Sequence, residues 1–200
     1  MKLGIVPAGG SAYRFGGVSK ELLPMPSGKT LLQNAIDALS FCDDIVILTT
    51  PEKAPLHSRV HPHLVCRNTP TLWDALNYVC TLDADQHYFI MPDTVVSGNA
   101  FGDGDLCFGV FTTTEPKRFG IFVGNEIIDK SELFTGEQMA WGTITWSKKV
   151  TEFWRAGKWI DHTAALNAAI KEFGHTVVEL ESYYDFATIE DYLNWIRSKK

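Results

Sequence analysis

Two hundred residues, 45% hydrophobic and 21% charged, suffice for one well-buried domain. The net charge of -6 excludes a broadly basic surface for nucleic acid or anionic membrane, so a phosphate-bearing ligand has to be met by a local cluster of cations. No apolar run approaches the ~20 residues of a membrane span, and without a signal-peptide pattern the expectation is a cytoplasmic chain with no nucleic-acid or membrane partner.

Taken in chain order, Leu3 to Val6 form a short apolar run of the kind found in a parallel strand covered on both faces. Ala8-Gly9-Gly10 follow at its carboxyl end, where small residues let backbone N–H groups approach an anion, and Arg14 and Lys20 supply charge nearby. The segment is neither a P-loop nor a dinucleotide fingerprint, because the Lys-Ser/Thr pair of the first and the glycine spacing of the second are missing. Leu32, Ala35, Ile36 and Leu39 then recur at helical spacing, and Asp44 to Thr50 reads as a second buried strand. A short strand near Leu64 to Cys66, a helix burying Leu72, Ala75, Leu76 and Val79, and a strand at His87 to Met91 continue the alternation. Such alternation implies a parallel sheet with helices on both faces, with ligand outside the carboxyl ends of the strands, where Pro92-Asp93 also lies.

The second half changes character. Strands are predicted over Leu106 to Thr113, Gly120 to Val123, Glu126 to Asp129, Ala140 to Trp146 and Thr176 to Glu181, with amphipathic segments near Lys148 to Ala156 and Thr163 to Phe173. The last helix starts at Thr188, where Thr-x-x-Asp191 forms a capping box, and is expected to bury Ile189, Tyr192, Leu193 and Ile196. Cys42, Cys66, Cys80 and Cys107 are read as buried reduced thiols, His57, His61 and His63 as a solvated loop, and the tryptophans as packing residues.

The glycine segment resembles the signature of nucleotidyltransferases that join a sugar 1-phosphate to a nucleotide, roughly Ala-Gly-Gly-x-Gly-Thr-Arg-Leu, a spacer, then Lys-x-Leu-Leu-Pro. Ala8, Gly9, Gly10, Arg14, Lys20, Leu22, Leu23 and Pro24 fall on it, while Ala12 and Tyr13 replace the usual Gly and Thr/Ser. The resemblance implies a single-domain α/β, Rossmann-like mixed sheet, with a nucleotide-binding half up to about residue 105 and a sugar-phosphate half beyond it. It implies Mg2+ as cofactor, held by Asp93 and by Asp185 in Tyr183-Tyr184-Asp185-Phe186-Ala187-Thr188, which is similar to the family's second metal motif.

Other carry-overs follow residue by residue. Glu115-Pro116-Lys117-Arg118-Phe119-Gly120 is similar to Asp-Pro-x-Arg-Tyr-Gly, which places Gly120 beside the sugar. Asp129-Lys130 resembles an acidic-Lys pair in which the acid bonds sugar hydroxyls and the lysine meets the sugar's phosphate. Ala140-Trp141-Gly142 resembles the segment closing the pocket, and Thr71 stands where Gly is common beside the base. The expected reaction has the oxygen of a sugar 1-phosphate attack the α-phosphorus of a nucleoside triphosphate, with Arg14, Lys20, Asp93 and Lys130 as the catalytic set. Molybdopterin guanylyltransferases, methylerythritol or choline phosphate cytidylyltransferases, and a catalytically silent nucleotide- or sugar-phosphate-binding domain stay open beside it. Sugar, base and oligomeric state, a homo-oligomer included, are not fixed.

Overall fold

The computed structural model describes residues 1–10 and 19–199. Strand β1 (Lys2–Pro7) lies between β2 (Asp44–Thr49) and β4 (Gln86–Ile90), parallel to both, and β3 (Leu64–Cys66) adds a parallel edge to β2. Leu3, Ile5 and Val6 are at most 2% exposed, because helices cover both faces of the strand. The crossovers are α1 (Leu31–Ala38), the single turn α2 (Ala54–His57) and α3 (Leu72–Val79). Reciprocal capping boxes start α1 at Thr30 and Gln33 and α3 at Thr71 and Asp74, satisfying backbone N–H groups that the first helical turn leaves without partners.

The second half turns the sheet into a mixed one. Strand β9 (Gln138–Ser147) inserts antiparallel between β4 and β6 (Leu106–Thr113), and β10 (Thr176–Glu179) lies parallel on the outer edge of β6. The hairpin of β7 (Gly120–Val123) and β8 (Glu126–Asp129) hangs from β9 through the pair Ile121 and Ala140. Two short strands escape sequence inspection. They are β5 (Thr94–Ser97) and β11 (Ser182–Asp185), which form an antiparallel ribbon with Asp185 opposite Thr94.

Helices α4 (Lys148–Ala156) and α5 (His162–Phe173) pack with α3 over one face, around Phe108, Trp146 and Trp154. Helix α1 covers the opposite face around Leu32, Ala35 and Ile90. A third cluster joins Leu31 to Phe186, Tyr192 and Trp195, the last two on α6 (Ile189–Ser198). Leu23 packs against it and the Tyr192 hydroxyl donates to the Pro24 carbonyl, so the Leu-Leu-Pro segment anchors the C-terminal helix.

Three expectations are corrected. On α6, Tyr192 and Trp195 are buried, whereas Ile189 and Leu193 are 56% and 41% exposed. The aromatic pair at i and i+3 turns inward because both rings pack on Phe186, at centroid distances of 5.7 and 5.2 Å. His57 is not solvated but wholly buried at the end of α2, bonded to Thr49 and Glu21. Cys66 is exposed at the sheet's edge, unlike Cys80 and Cys107. Among the described residues, no helix is long and apolar enough to cross a membrane.

Candidate active site

A cleft of about 870 Å3 opens at the carboxyl ends of β1 and β4, where an α/β sheet presents its ligands. Ala8 and Gly10 line it after β1, Lys20 from the 3-10 turn Lys20–Leu22, Thr71 from the start of α3 and Asp93 from the loop beyond β4. Gly120, Asp129, Lys130, Gly142 and Asp185 line the same cleft from the second half of the chain. Gly9 stands between Ala8 and Gly10 without lining the cleft itself, and Arg14 lies outside the described residues.

The glycines divide by cause. A Cβ on Gly10 would meet nothing within 4 Å among the described residues, so none of these demands glycine there, and the residue lines the cleft. Gly120 and Gly142 are different: side chains there would collide with the Trp141 indole nitrogen and the Tyr183 ring respectively. Glycine at these two positions seats the aromatic walls of the cleft, a packing role that the expected backbone approach to a sugar did not include. Thr71 is also committed locally, since its hydroxyl bonds Asp74 at 2.6 Å and accepts the Asp74 N–H at 3.1 Å to cap α3.

The two carboxylates expected to share a cation do converge. Asp185 pairs in register with Thr94, the neighbour of Asp93, so the β5–β11 ribbon sets both acids at one end. Asp93 is 5% exposed and ion-pairs with Lys20, whose Nζ also donates to the Phe186 carbonyl at 3.4 Å. Burial pushes the Asp93 carboxyl up, Lys20 pulls it down and the charge of Asp185 raises it further. Arg118 Nη2 sits 2.9 Å from Asp185 Oδ2 and 3.7 Å from Asp191 Oδ2, and its Nη1 sits 2.7 Å from Glu115 Oε2.

These donors fit a hard divalent cation in one particular way. Among the described residues, no three His, Cys, Asp or Glu side chains gather as a metal cage. Two adjacent carboxylates, one raised by burial and by its neighbour's charge, instead suit a cation that brings phosphate oxygens and water as its remaining ligands, as Mg2+ does. Lys20 and Arg118 balance those carboxylates in the chain alone.

At the other end of the cleft, Asp129 closes β8 and Lys130 follows it with φ 47°, a left-handed backbone that a non-glycine residue seldom adopts. The Lys130 N–H donates to Phe119 O at 3.0 Å, and the Asn167 side chain bonds Ile127 N and O at 2.7 and 2.9 Å, tying β8 to α5. His162, the first residue of α5, places Nε2 3.8 Å from Asp129 Oδ2. Burial holds its pKa below the ordinary value, opposed by Asp129 and Asp161 and reinforced by Lys130. Phe119, Trp141 and Tyr183 also line the cleft, and Tyr183, beside Thr94 and Asp185, stacks on Phe111 at 4.0 Å. Burial pushes the Tyr183 hydroxyl well up, so it is neutral. The Trp141 indole N–H is buried without a partner among the described residues.

Sequence inspection missed His162, Lys53 and the clasp of Arg118 on Asp185. Asp161-His162 before an amphipathic run signals a helix start, and Asp161 does cap α5 by accepting from Ala164 N at 2.8 Å. That signal says nothing of which cleft the next side chain enters. Lys53 carried no motif at all.

Residues 4–83 match the family model of the MobA-like NTP transferase domain. No curated protein matches the chain by sequence. Among solved structures, the chain is similar to a protein of Bacillus anthracis provisionally assigned as a glucose-1-phosphate thymidylyltransferase and solved with sucrose, with TM-score 0.83, 20% identity, and coverage of 99% of this chain and 95% of that one. It is also similar to the CTP:phosphocholine cytidylyltransferase of Streptococcus pneumoniae (TM-score 0.78, 19% identity, 100% and 99% coverage). A third is the inositol-1-phosphate CTP transferase of T. maritima (TM-score 0.75, 16% identity, 100% and 96% coverage). The chain has the fold that these three transferases share, and its first part, residues 4–83, carries the match to the MobA-like NTP transferase domain.

Proposed function

We propose that the chain joins a sugar 1-phosphate to a nucleoside triphosphate, with Mg2+, in the cytoplasm. The observation that carries this reading is a single cleft with a glycine turn and the Lys20–Asp93 pair at one end, and Asp129, Lys130 and His162 at the other. Residues up to about 105 supply the nucleotide side and the remainder the acceptor side.

A phosphate oxygen of the acceptor attacks the α-phosphorus in line, the bond from the α-phosphorus to the bridging oxygen breaks, and pyrophosphate leaves with the electron pair. The amides of Gly9 and Gly10 receive the triphosphate, beside Thr71 at the head of α3. Lys20, with Arg14, offsets charge growing on the leaving group, and Lys130 orients the incoming phosphate. Asp93 and Asp185 would hold Mg2+, which supplies polarisation of the α-phosphate. Asp129 accepts from acceptor hydroxyls.

A second acceptor class has its own support: the aromatic walls Phe119, Trp141 and Tyr183 together with the Asp129 carboxylate also suit the cationic head of an amino-alcohol phosphate. Pyrophosphate release is to be measured over a matrix of nucleoside triphosphates and acceptors, covering aldose 1-phosphates, inositol phosphate and choline phosphate, with Mg2+ and with chelator. Release confined to aldose 1-phosphates and lost with chelator is expected. Release with choline phosphate alone replaces the sugar by the amino alcohol, and no release from any pair by folded protein rejects the transferase.

A further inference from the structure

A buried charged strut stands behind the glycine turn. Lys53, the residue preceding α2, sends Nζ to three oxygens: Glu21 Oε1 at 2.8 Å, Gly10 O at 2.5 Å and Ala8 O at 3.4 Å. Its side chain is 14% exposed and that of Glu21 3%. Glu21 Oε1 also lies 3.0 Å from His57 Nε2, and His57 Nδ1 lies 2.8 Å from Thr49 Oγ1 at the end of β2. Burial pushes the Glu21 carboxyl up, but the contacts with His57 and Lys53 outweigh it and hold the group below its usual range. The chain from Thr49 through His57, Glu21 and Lys53 therefore runs from the fixed end of a core strand to the carbonyl oxygens of the turn.

That arrangement has a geometric consequence for the amides. The Ala8 N–H is already tied to Leu48 O at 2.7 Å. A trans peptide points the next N–H opposite its carbonyl, so a cation on Ala8 O turns the Gly9 N–H away from Lys53. Lys53 itself is not among the residues lining the cleft, whereas Ala8, Gly10 and Glu21 are. Consecutive glycines carry the largest backbone freedom, and an ammonium on the flanking Ala8 and Gly10 carbonyls restricts that freedom before any ligand arrives.

We infer that Lys53 is a positioning residue for triphosphate binding: gripping the Ala8 and Gly10 carbonyls from behind, and fixed in turn by Glu21 and His57, it holds the glycine turn in place for a polyphosphate, with the Gly9 N–H turned away from the ammonium. This rests on the nucleotidyltransferase reading, in which that turn receives the triphosphate. Lys53 touches no substrate in this role.

The test compares wild type with Lys53→Met and with the double variant Glu21→Gln/Lys53→Met, which leaves no unpaired buried carboxylate. Triphosphate affinity is measured by calorimetry, the two KM values by pyrophosphate release, and backbone hydrogen exchange on a peptide covering residues 1–10. Both variants should lose about tenfold or more in triphosphate affinity and KM, with acceptor KM held within about twofold. Exchange in the turn should accelerate. The double variant should regain thermal stability over Lys53→Met without regaining triphosphate affinity, a separation that a merely structural lysine does not produce. Unchanged triphosphate affinity in either folded variant, or affinity that returns together with stability in the double variant, overturns the inference. If wild type binds triphosphate but turns over no acceptor, the transferase reading fails while calorimetry still decides the role of Lys53; if wild type binds no triphosphate, both fall.

Discussion

Arg118 Nη2 lies 2.9 Å from Asp185 Oδ2 and also donates to the Asp185 carbonyl oxygen at 3.3 Å, so one of the two carboxylates proposed to hold a cation is clasped by an arginine from the 3-10 turn before β7. The same guanidinium meets Glu115 and Asp191, and with Asp185 these make three carboxylates around one cation. In the proposed reaction a divalent cation on Asp185 would compete with Arg118 for the same oxygen, although both residues are only about a fifth exposed. Replacing Arg118 by Met should lower the Mg2+ concentration for half-maximal turnover, by up to roughly tenfold, the scale of a charge-assisted hydrogen bond. Titrating Mg2+ against pyrophosphate release checks this. A higher Mg2+ requirement in the variant would mean that Arg118 supports the cation and does not compete with it.

Asp93→Asn and Asp185→Asn should each lower turnover by about 10²-fold or more, because each removes one carboxylate from the proposed hard-cation site. Folding should survive in Asp93→Asn, since burial already disfavours the ionised form of this 5% exposed residue and the amide matches its volume. Kinetics paired with a thermal melt separates the two effects. Full activity in either variant removes that residue from the cation site.

At the acceptor end, Lys130→Met should raise acceptor KM and leave triphosphate KM nearly unchanged. Asp129→Ala should instead relax the ranking among acceptors, at ~1–3 kcal/mol for the preferred one, the range for an unmade buried hydrogen bond. Asn167→Leu should weaken acceptor use without touching it, because the amide of Asn167 holds Ile127 two residues before Asp129. A kinetic series over several acceptor phosphates distinguishes all three, and wild-type ranking in both Asp129→Ala and Lys130→Met makes the pair a solvated surface feature.

Stability should fall in mild acid because of His87. The ring is wholly buried, stacks on Trp146 at 5.0 Å and 1°, and burial lowers its pKa from 6.5 to about 4. The unfolded chain takes up this proton near pH 6.5 and the folded chain only near pH 4, so the contribution is complete above pH 6.5 and is lost as pH falls between the two. The loss amounts to roughly 3 kcal/mol. Denaturant midpoints at pH 7 and pH 5 measure the slope, and His87→Phe should flatten it. An unchanged slope in that variant assigns the acid sensitivity to other groups.

The elements most visible in the sequence were those whose periodicity and capping agree. Helix α3 has apolar spacing at Leu72, Ala75, Leu76 and Val79 and a Thr71–Asp74 box, and β1 has its apolar run ended by Pro7-Ala8-Gly9. The β5–β11 ribbon was hidden because its strands are four residues each and lie 85 positions apart at the register pair Ser97 and Ser182, closer to sequence noise than to a period. That pairing is what sets Asp185 beside Asp93, so the convergence of the two acids came from the family likeness and not from spacing. Local signals also failed at α6, where Ile189, Leu193 and the aromatic stripe offered competing faces and tertiary packing on Phe186 chose between them. Lys53, Glu21 and His57 could not be joined by any local rule, since their contact requires the closed fold.

The most direct test of the proposed chemistry follows the fate of the α-phosphate. A triphosphate labelled at that position is incubated with Mg2+, protein and each acceptor phosphate, alongside one labelled at the terminal phosphate. In-line attack by the acceptor predicts that α-label enters a diphosphate-linked product while terminal label leaves as pyrophosphate, and only when both substrates are present. Terminal label appearing on the acceptor, or in free inorganic phosphate, would contradict attack at the α-phosphorus.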